Sequence, residues 1–178
     1  MEQEAAKIES AQTFEELLTI MKETTQSIRE LRESQKNISK EVGGIANSNG
    51  YFAEEYFRNA FEHEPVFAGE HFDIMKENIR VANAEQEDEY DIVLYNKENI
   101  AIIETKYKAR VSDISDVIKK ADSFRQWFPY YKNHNIYLGL AGLTFDNKVI
   151  SKAKEKGIAI IRQKGGKTIV SDKNLKAY

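Results

Sequence analysis

A chain of 178 residues, 41% hydrophobic and 31% charged, has the composition of a soluble globular protein and the length for one domain plus an appendage. It holds no cysteine, which excludes disulfides, thiolate zinc sites and a cysteine nucleophile. Its three histidines, His63, His71 and His134, are scattered and form no HxxxH pair, so a histidine-built metal site is not expected.

No apolar run approaches the ~20 residues of a membrane span. The acidic opening "MEQEAAKIES" lacks the apolar region of a secretory signal. The expected location is therefore cytoplasmic, with no membrane partner. The formal net charge of −3 hides an asymmetry. Residues 43–104 hold 14 acids and 4 bases, a net of −10, whereas residues 105–178 hold 6 acids and 16 bases, a net of +10. An acidic cluster suits a cation and a basic half suits a polyanion, unless the two halves simply neutralise each other across one fold.

In chain order, the first predicted element is a long helix. Thr13 stands three residues before Glu16, a capping-box spacing. From there Leu17, Met21, Thr24, Ile28, Leu31, Gln35, Ile38, Val42 and Ile45 recur at alternating spacings of four and three. That is a heptad seam of about four heptads, interrupted by two polar positions, and it predicts self-association as a coiled coil through residues 13–45. A single amphipathic helix folded onto its own domain is the alternative. Gly43-Gly44 reads as a break, dividing residues 1–42 from a main domain at 43–178.

The main domain alternates helix and strand signals. A helix is predicted over 51–62, ended by Pro65, then strands near 66–75 and 78–82. Strands over 89–96 and 99–108 follow, then a helix over 112–128 stopped by Pro129. A mostly apolar strand over 135–145 precedes a helix over 146–157, opened by Asp146 and stopped by Gly157. Short strands over 158–163 and 167–171 close the chain. The order predicts an α/β fold around a mixed central sheet.

The stretch "IAIIETKYK" at 100–108 runs from core strand into Glu104 and Lys106 with no turn residue between. Burying an unpaired charge costs several kcal/mol unless the group is paired, hydrated or bound to metal. The four-residue connection "NKEN" predicts a hairpin between 89–95 and 100–107. With Tyr95 opposite Ile100, Asp91 falls opposite Glu104, and Lys106 shares their face. Opposed carboxylates are destabilising unless a proton or cation lies between them, and a hard divalent ion suits oxygen ligands. A register slip of one residue would put the acids on opposite faces.

Asp91, twelve intervening residues and then Glu104-Thr105-Lys106 resemble the PD-(D/E)xK (restriction endonuclease-like) nuclease signature. The resemblance covers about residues 45–165, with the family's αβββαβ core. Over the whole chain, "GYFAEEYF", "EYDIVLY", "IETKYK" and "YLGLAGLTFDNKVISKAKEKGIAII" are similar to an uncharacterised bacterial group with an N-terminal coiled coil and a nuclease-like domain. Tyr90 stands where the family often carries proline.

The resemblance implies metal-dependent hydrolysis of phosphodiester bonds, most simply in DNA. It implies Mg²⁺ or Mn²⁺ held by Asp91, Glu104 and the Thr105 carbonyl, with Lys106 orienting water or neutralising the scissile phosphate. A helix acid often completes such sites; Glu54 is favoured for that role over Glu55. Gln126-x3-Tyr130 resembles an element of some of these nucleases, but a helix end packing on the core is the plainer reading. Lys108, Arg110, Lys119, Lys120 and Arg125 follow the motif and are expected to reach backbone phosphates. The alternatives are a catalytically silent nucleic-acid-binding module and a coiled-coil assembly protein on the same fold.

Overall fold

The computed structural model describes the backbone of residues 2–178 and the side chains of residues 14–178. Two compact units are present, Met1–Asn47 and Ser48–Tyr178.

The first unit is helical throughout its described backbone. Helix α1 runs Glu2–His63, so it begins well before Thr13, whose side chain lies outside the described residues. The expected break at Gly43-Gly44 is not there: the pair is helical. A glycine inside a helix costs only about 1 kcal/mol against alanine, and neither one needs a positive φ here. The seam side chains stand in water, from 45% exposed at Ile28 to 69% at Leu31.

The second unit is a mixed six-stranded sheet with helices on its faces. Its strands are β3 (Ile74–Ala82), β4 (Glu87–Tyr95), β5 (Asn99–Ala109), β6 (Asn135–Phe145), β7 (Ala159–Lys164) and β8 (Lys167–Ser171), in that spatial order. A two-stranded ribbon of β1 (Val66–Phe67) and β2 (Glu70–His71) precedes them. β3, β4 and β5 pair antiparallel, β5, β6 and β7 parallel, and β7 and β8 antiparallel. Helix α2 (Val111–Trp127) makes the crossover from β5 to β6, and α3 (Asn147–Lys156) the one from β6 to β7.

Alternation along β5 divides the core. Ile100 and Ile102 pack with Ile114, Val117, Ala121 and Phe124 of α2. Ala101 and Ile103 pack on the other face with Phe57 and Phe61 of α1 and with Phe67 and Phe72. Because both faces are covered, β5 and β6 read as continuous apolar runs rather than as alternating strands.

Two local features differ from expectation. The strands expected near 66–75 and 78–82 are instead the short β1–β2 ribbon and one nine-residue strand, β3, which runs through the solvent-facing polar residues "KEN" at the edge of the sheet. Helix α2 opens at Arg110, not Ser112 or Asp113: Asp113 instead accepts the Arg110 N–H at 2.6 Å as the third residue of the helix. Gly157 stops α3 in the left-handed region (φ +74), where a Cβ would stand 2.5 Å from that of Lys176.

Candidate active site

The β4–β5 register is the one expected from the hairpin: Tyr95 pairs with Ile100 and Ile92 with Ile103. The ladder stops there. Asp91 and Glu104, next in line, are not a bridge pair. On its other side Asp91 is also unpaired, because the β3–β4 ladder skips from Ile79–Tyr90 to Glu77–Ile92. The skipped β3 residue, Asn78, has φ +48, a conformation uncommon for any side chain but glycine and best tolerated by asparagine. The side-chain alternation slips as well: Tyr90 and Val93, three apart, belong to one buried cluster. Asp91 therefore sits at a defect of the sheet, open on both flanks.

The defect has a chemical filling. The Thr105 N–H donates to Asp91 Oδ2 at 2.7 Å and its hydroxyl donates to the same oxygen at 2.9 Å. A main-chain donor that a regular ladder would give to a carbonyl goes to a carboxylate instead. Burial and then the charge of Glu104 raise the Asp91 pKa above the ordinary carboxylate value, against the lowering effect of the Thr105 bonds.

Glu104 is buried. Its Oε1 accepts a hydrogen bond of 2.6 Å from Lys106 Nζ. Its Oε2 is in ion-pair contact with Lys120 Nζ, reaching in from α2, but that approach lacks hydrogen-bond geometry and Oε2 has no hydrogen-bond partner. The positive charge that opposed carboxylates require is thus supplied by two ammonium groups. Burial works against the charged form of Lys106, but the Glu104 charge and hydrogen bond, and then Asp91, outweigh it and raise its pKa.

Glu54, on the last turns of α1, lines one pocket with Asp91 and Thr105 and another with Asp91, Glu104, Lys106 and Lys120. Its pKa is raised by burial first, then by Asp91 and Glu89. Glu55 lines only the first of these and stands 3.9 Å from Arg58. The structure therefore brings Glu54, Asp91, Glu104, Thr105, Lys106 and Lys120 together.

The other residues expected to meet nucleic acid divide. Lys108, Arg110 and Lys119 are exposed, Lys119 beside Asp116 at 3.2 Å. Lys120 is not on the outer face: its side chain is 16% exposed, turned into the site. Arg125 also departs from expectation. Its guanidinium donates to the carbonyls of Lys132 and His134 and to the main-chain oxygen of Tyr178, which leaves it a structural clamp rather than a phosphate contact. Gln126 and Tyr130 are both exposed, so the helix end does not pack on the core through them.

Whether these residues suit a divalent ion is decided by their donors. The groups that could face an ion are oxygens: three carboxylates, of which Glu54 and Asp91 have raised pKa values and Glu104 has a buried Oε2 without a hydrogen bond, and the Thr105 carbonyl. Among the described residues no three histidine or acidic side chains stand as a ready-made metal cluster. Glu104 is held by lysines, so an ion would enter by exchange with an ammonium. On that basis the donor set fits Mg²⁺ or Mn²⁺.

Comparison of the chain with protein-family models, with curated proteins and with solved structures returned no match. Among the described residues no helix is long and apolar enough to cross a membrane.

Proposed function

We propose that the chain is a metal-dependent nuclease, hydrolysing phosphodiester bonds of DNA at the gap between β4 and β5. The observation that carries the reading is the meeting of Asp91, Glu104 and Lys106 in one pocket, at the point where the β4–β5 ladder ends and the β3–β4 ladder skips one pair. The D-x12-E-x-K spacing, which resembles that of PD-(D/E)xK nucleases, supports it.

Asp91, Glu104 and the Thr105 carbonyl would hold the ion, with Glu54 facing it from α1. When bound, such an ion lowers the pKa of water and offsets charge on phosphoryl oxygens. The remaining work falls to the chain. Thr105 fixes Asp91 through two donors. Lys106, kept cationic by Glu104, would orient a water or neutralise a phosphate oxygen. Lys108 and Arg110 continue the chain beyond Lys106, where exposed cations favour a polyanionic backbone.

The exposed seam of residues 14–45 supports self-association with further copies of the chain. A second reading, a nucleic-acid-binding module without catalysis, draws on the two lysines that already neutralise Glu104.

The test is cleavage. Plasmid, single-stranded DNA and RNA are incubated with the full chain in Mg²⁺ or Mn²⁺ and in chelator. The reading requires metal-dependent products that vanish in Lys106→Ala. Retention of nucleic acid without cleavage would favour the silent module, and neither binding nor cleavage would leave an assembly protein.

A further inference from the structure

The strand motif accounts for one lysine at Glu104; the structure has two. Lys120 comes from α2, and its side chain is less exposed than that of Lys106, 16% against 39%. Its Nζ contacts Glu104 Oε2, donates to the main-chain carbonyl of Glu89 and lies 5.5 Å from the centre of the Tyr90 ring. Both oxygens of Glu104 therefore face an ammonium.

We propose that Lys120 is the resident counter-ion of Glu104, a positioning residue that competes with the divalent ion for Oε2 and yields that oxygen when the ion binds. The proposal rests on the nuclease reading of the site. One observation selects Lys120 over Lys106 as the group that yields: Lys120 has a second acceptor, the Glu89 carbonyl, on which its ammonium remains when Oε2 is given up. Two cations at one carboxylate oxygen repel each other, so the lysine weakens ion binding while it keeps the empty site neutralised. After exchange its charge stays in the pocket that Glu54 and Asp91 share, beside the groups that would face a substrate phosphate.

Calorimetric titration of the full chain with Mn²⁺ tests this without reference to turnover. Lys120→Met is expected to bind Mn²⁺ about tenfold more tightly than the unaltered chain, because a repelling charge is gone. Lys120→Arg, which keeps the charge, is expected to stay within about twofold. Equal or weaker binding by Lys120→Met overturns the proposal. Should Lys120→Met fail to fold, the unaltered chain still answers. Mg²⁺ is expected to shift the Lys120 Nζ resonance, assigned by its loss in Lys120→Arg, and to leave that of Lys119 in place. An unmoved Lys120 resonance at saturating Mg²⁺ overturns the proposal. Tighter Mn²⁺ binding by Lys120→Met in a chain that cuts no nucleic acid upholds the counter-ion role and ends the nuclease reading. Cleavage by the unaltered chain, with Mn²⁺ affinity unchanged in Lys120→Met, does the reverse.

Discussion

Thr105 donates both its main-chain N–H and its hydroxyl to a single oxygen of Asp91, at 2.7 and 2.9 Å. The pair joins the two strands where their ladder ends, so it holds the gap open and fixes the acid within it. Thr105→Val keeps the β-branched shape and the N–H but removes the hydroxyl. It is expected to lower stability by about 1–3 kcal/mol, since a buried acceptor loses a partner, which at this length is roughly 2–4 °C of Tm per kcal/mol. Differential scanning calorimetry measures it; an unchanged Tm would mean that the hydroxyl does not hold Asp91.

Asp91 carries a pH signature of known sign. Its pKa is raised by burial and by Glu104, so the fold favours the neutral acid. Ionised Asp91 therefore destabilises the folded chain. That penalty is complete above the raised value and disappears as the pH falls to the ordinary carboxylate value of 3.8. Without divalent ions, Asp91→Asn, whose amide oxygen still accepts from Thr105, is expected to raise Tm at neutral pH. The advantage should vanish toward pH 3.8. A Tm gain equal at both ends of that range would contradict the assignment.

Glu104→Gln should have the opposite effect on the metal-free fold. The substitution leaves two ammonium groups, one of them largely buried, without their anion. A loss of about 1–3 kcal/mol is expected, read from urea unfolding. A gain in stability would mean that repulsion from Asp91 outweighs both ion pairs.

Arg125 and Lys108 should separate structure from nucleic-acid binding. Arg125→Ala removes a guanidinium shared by three main-chain oxygens and is expected to lower Tm and leave DNA affinity per folded molecule unchanged. Lys108→Ala, at an exposed position, is expected to leave Tm alone and reduce the salt slope of DNA binding by about 1. Fluorescence anisotropy across a salt series distinguishes them, and the reverse pattern would contradict both assignments.

The α1 seam predicts oligomers. Burying one large apolar side chain is worth roughly 1.5–3 kcal/mol, and Leu17, Met21, Ile28, Leu31, Ile38 and Val42 all stand exposed on the helix. Sedimentation at micromolar concentration is expected to show more than one copy, with Leu31→Lys and Ile38→Lys together giving monomers. A monomeric unaltered chain would contradict self-association.

Much of this arrangement was legible because burial imposes pattern. The hairpin register followed from a short connection between two apolar runs, and the stops at Pro65, Pro129 and Gly157 from backbone chemistry. What stayed hidden lacked a pattern or depended on distant packing. β3 was not legible as one strand because an edge strand at the solvent has little apolar alternation. The helix through Gly43-Gly44 was missed because two glycines are a weak penalty against a long helix. Lys120 read as a surface cation because its sequence neighbours cannot say what α2 faces. The one available signal was its place three residues after Val117 and beside Ala121, on the flank of the buried stripe that Phe124 completes. The exchange of a ladder bond for the Thr105–Asp91 pair carried no sequence signal at all.

The most direct measurement of the central claim is anomalous scattering from crystals of the full chain soaked in Mn²⁺. The account predicts a peak bound by the carboxylates of Asp91 and Glu104 together, absent from crystals of Asp91→Asn. A saturating soak with no peak between these two acids, or a peak that survives Asp91→Asn, would contradict it.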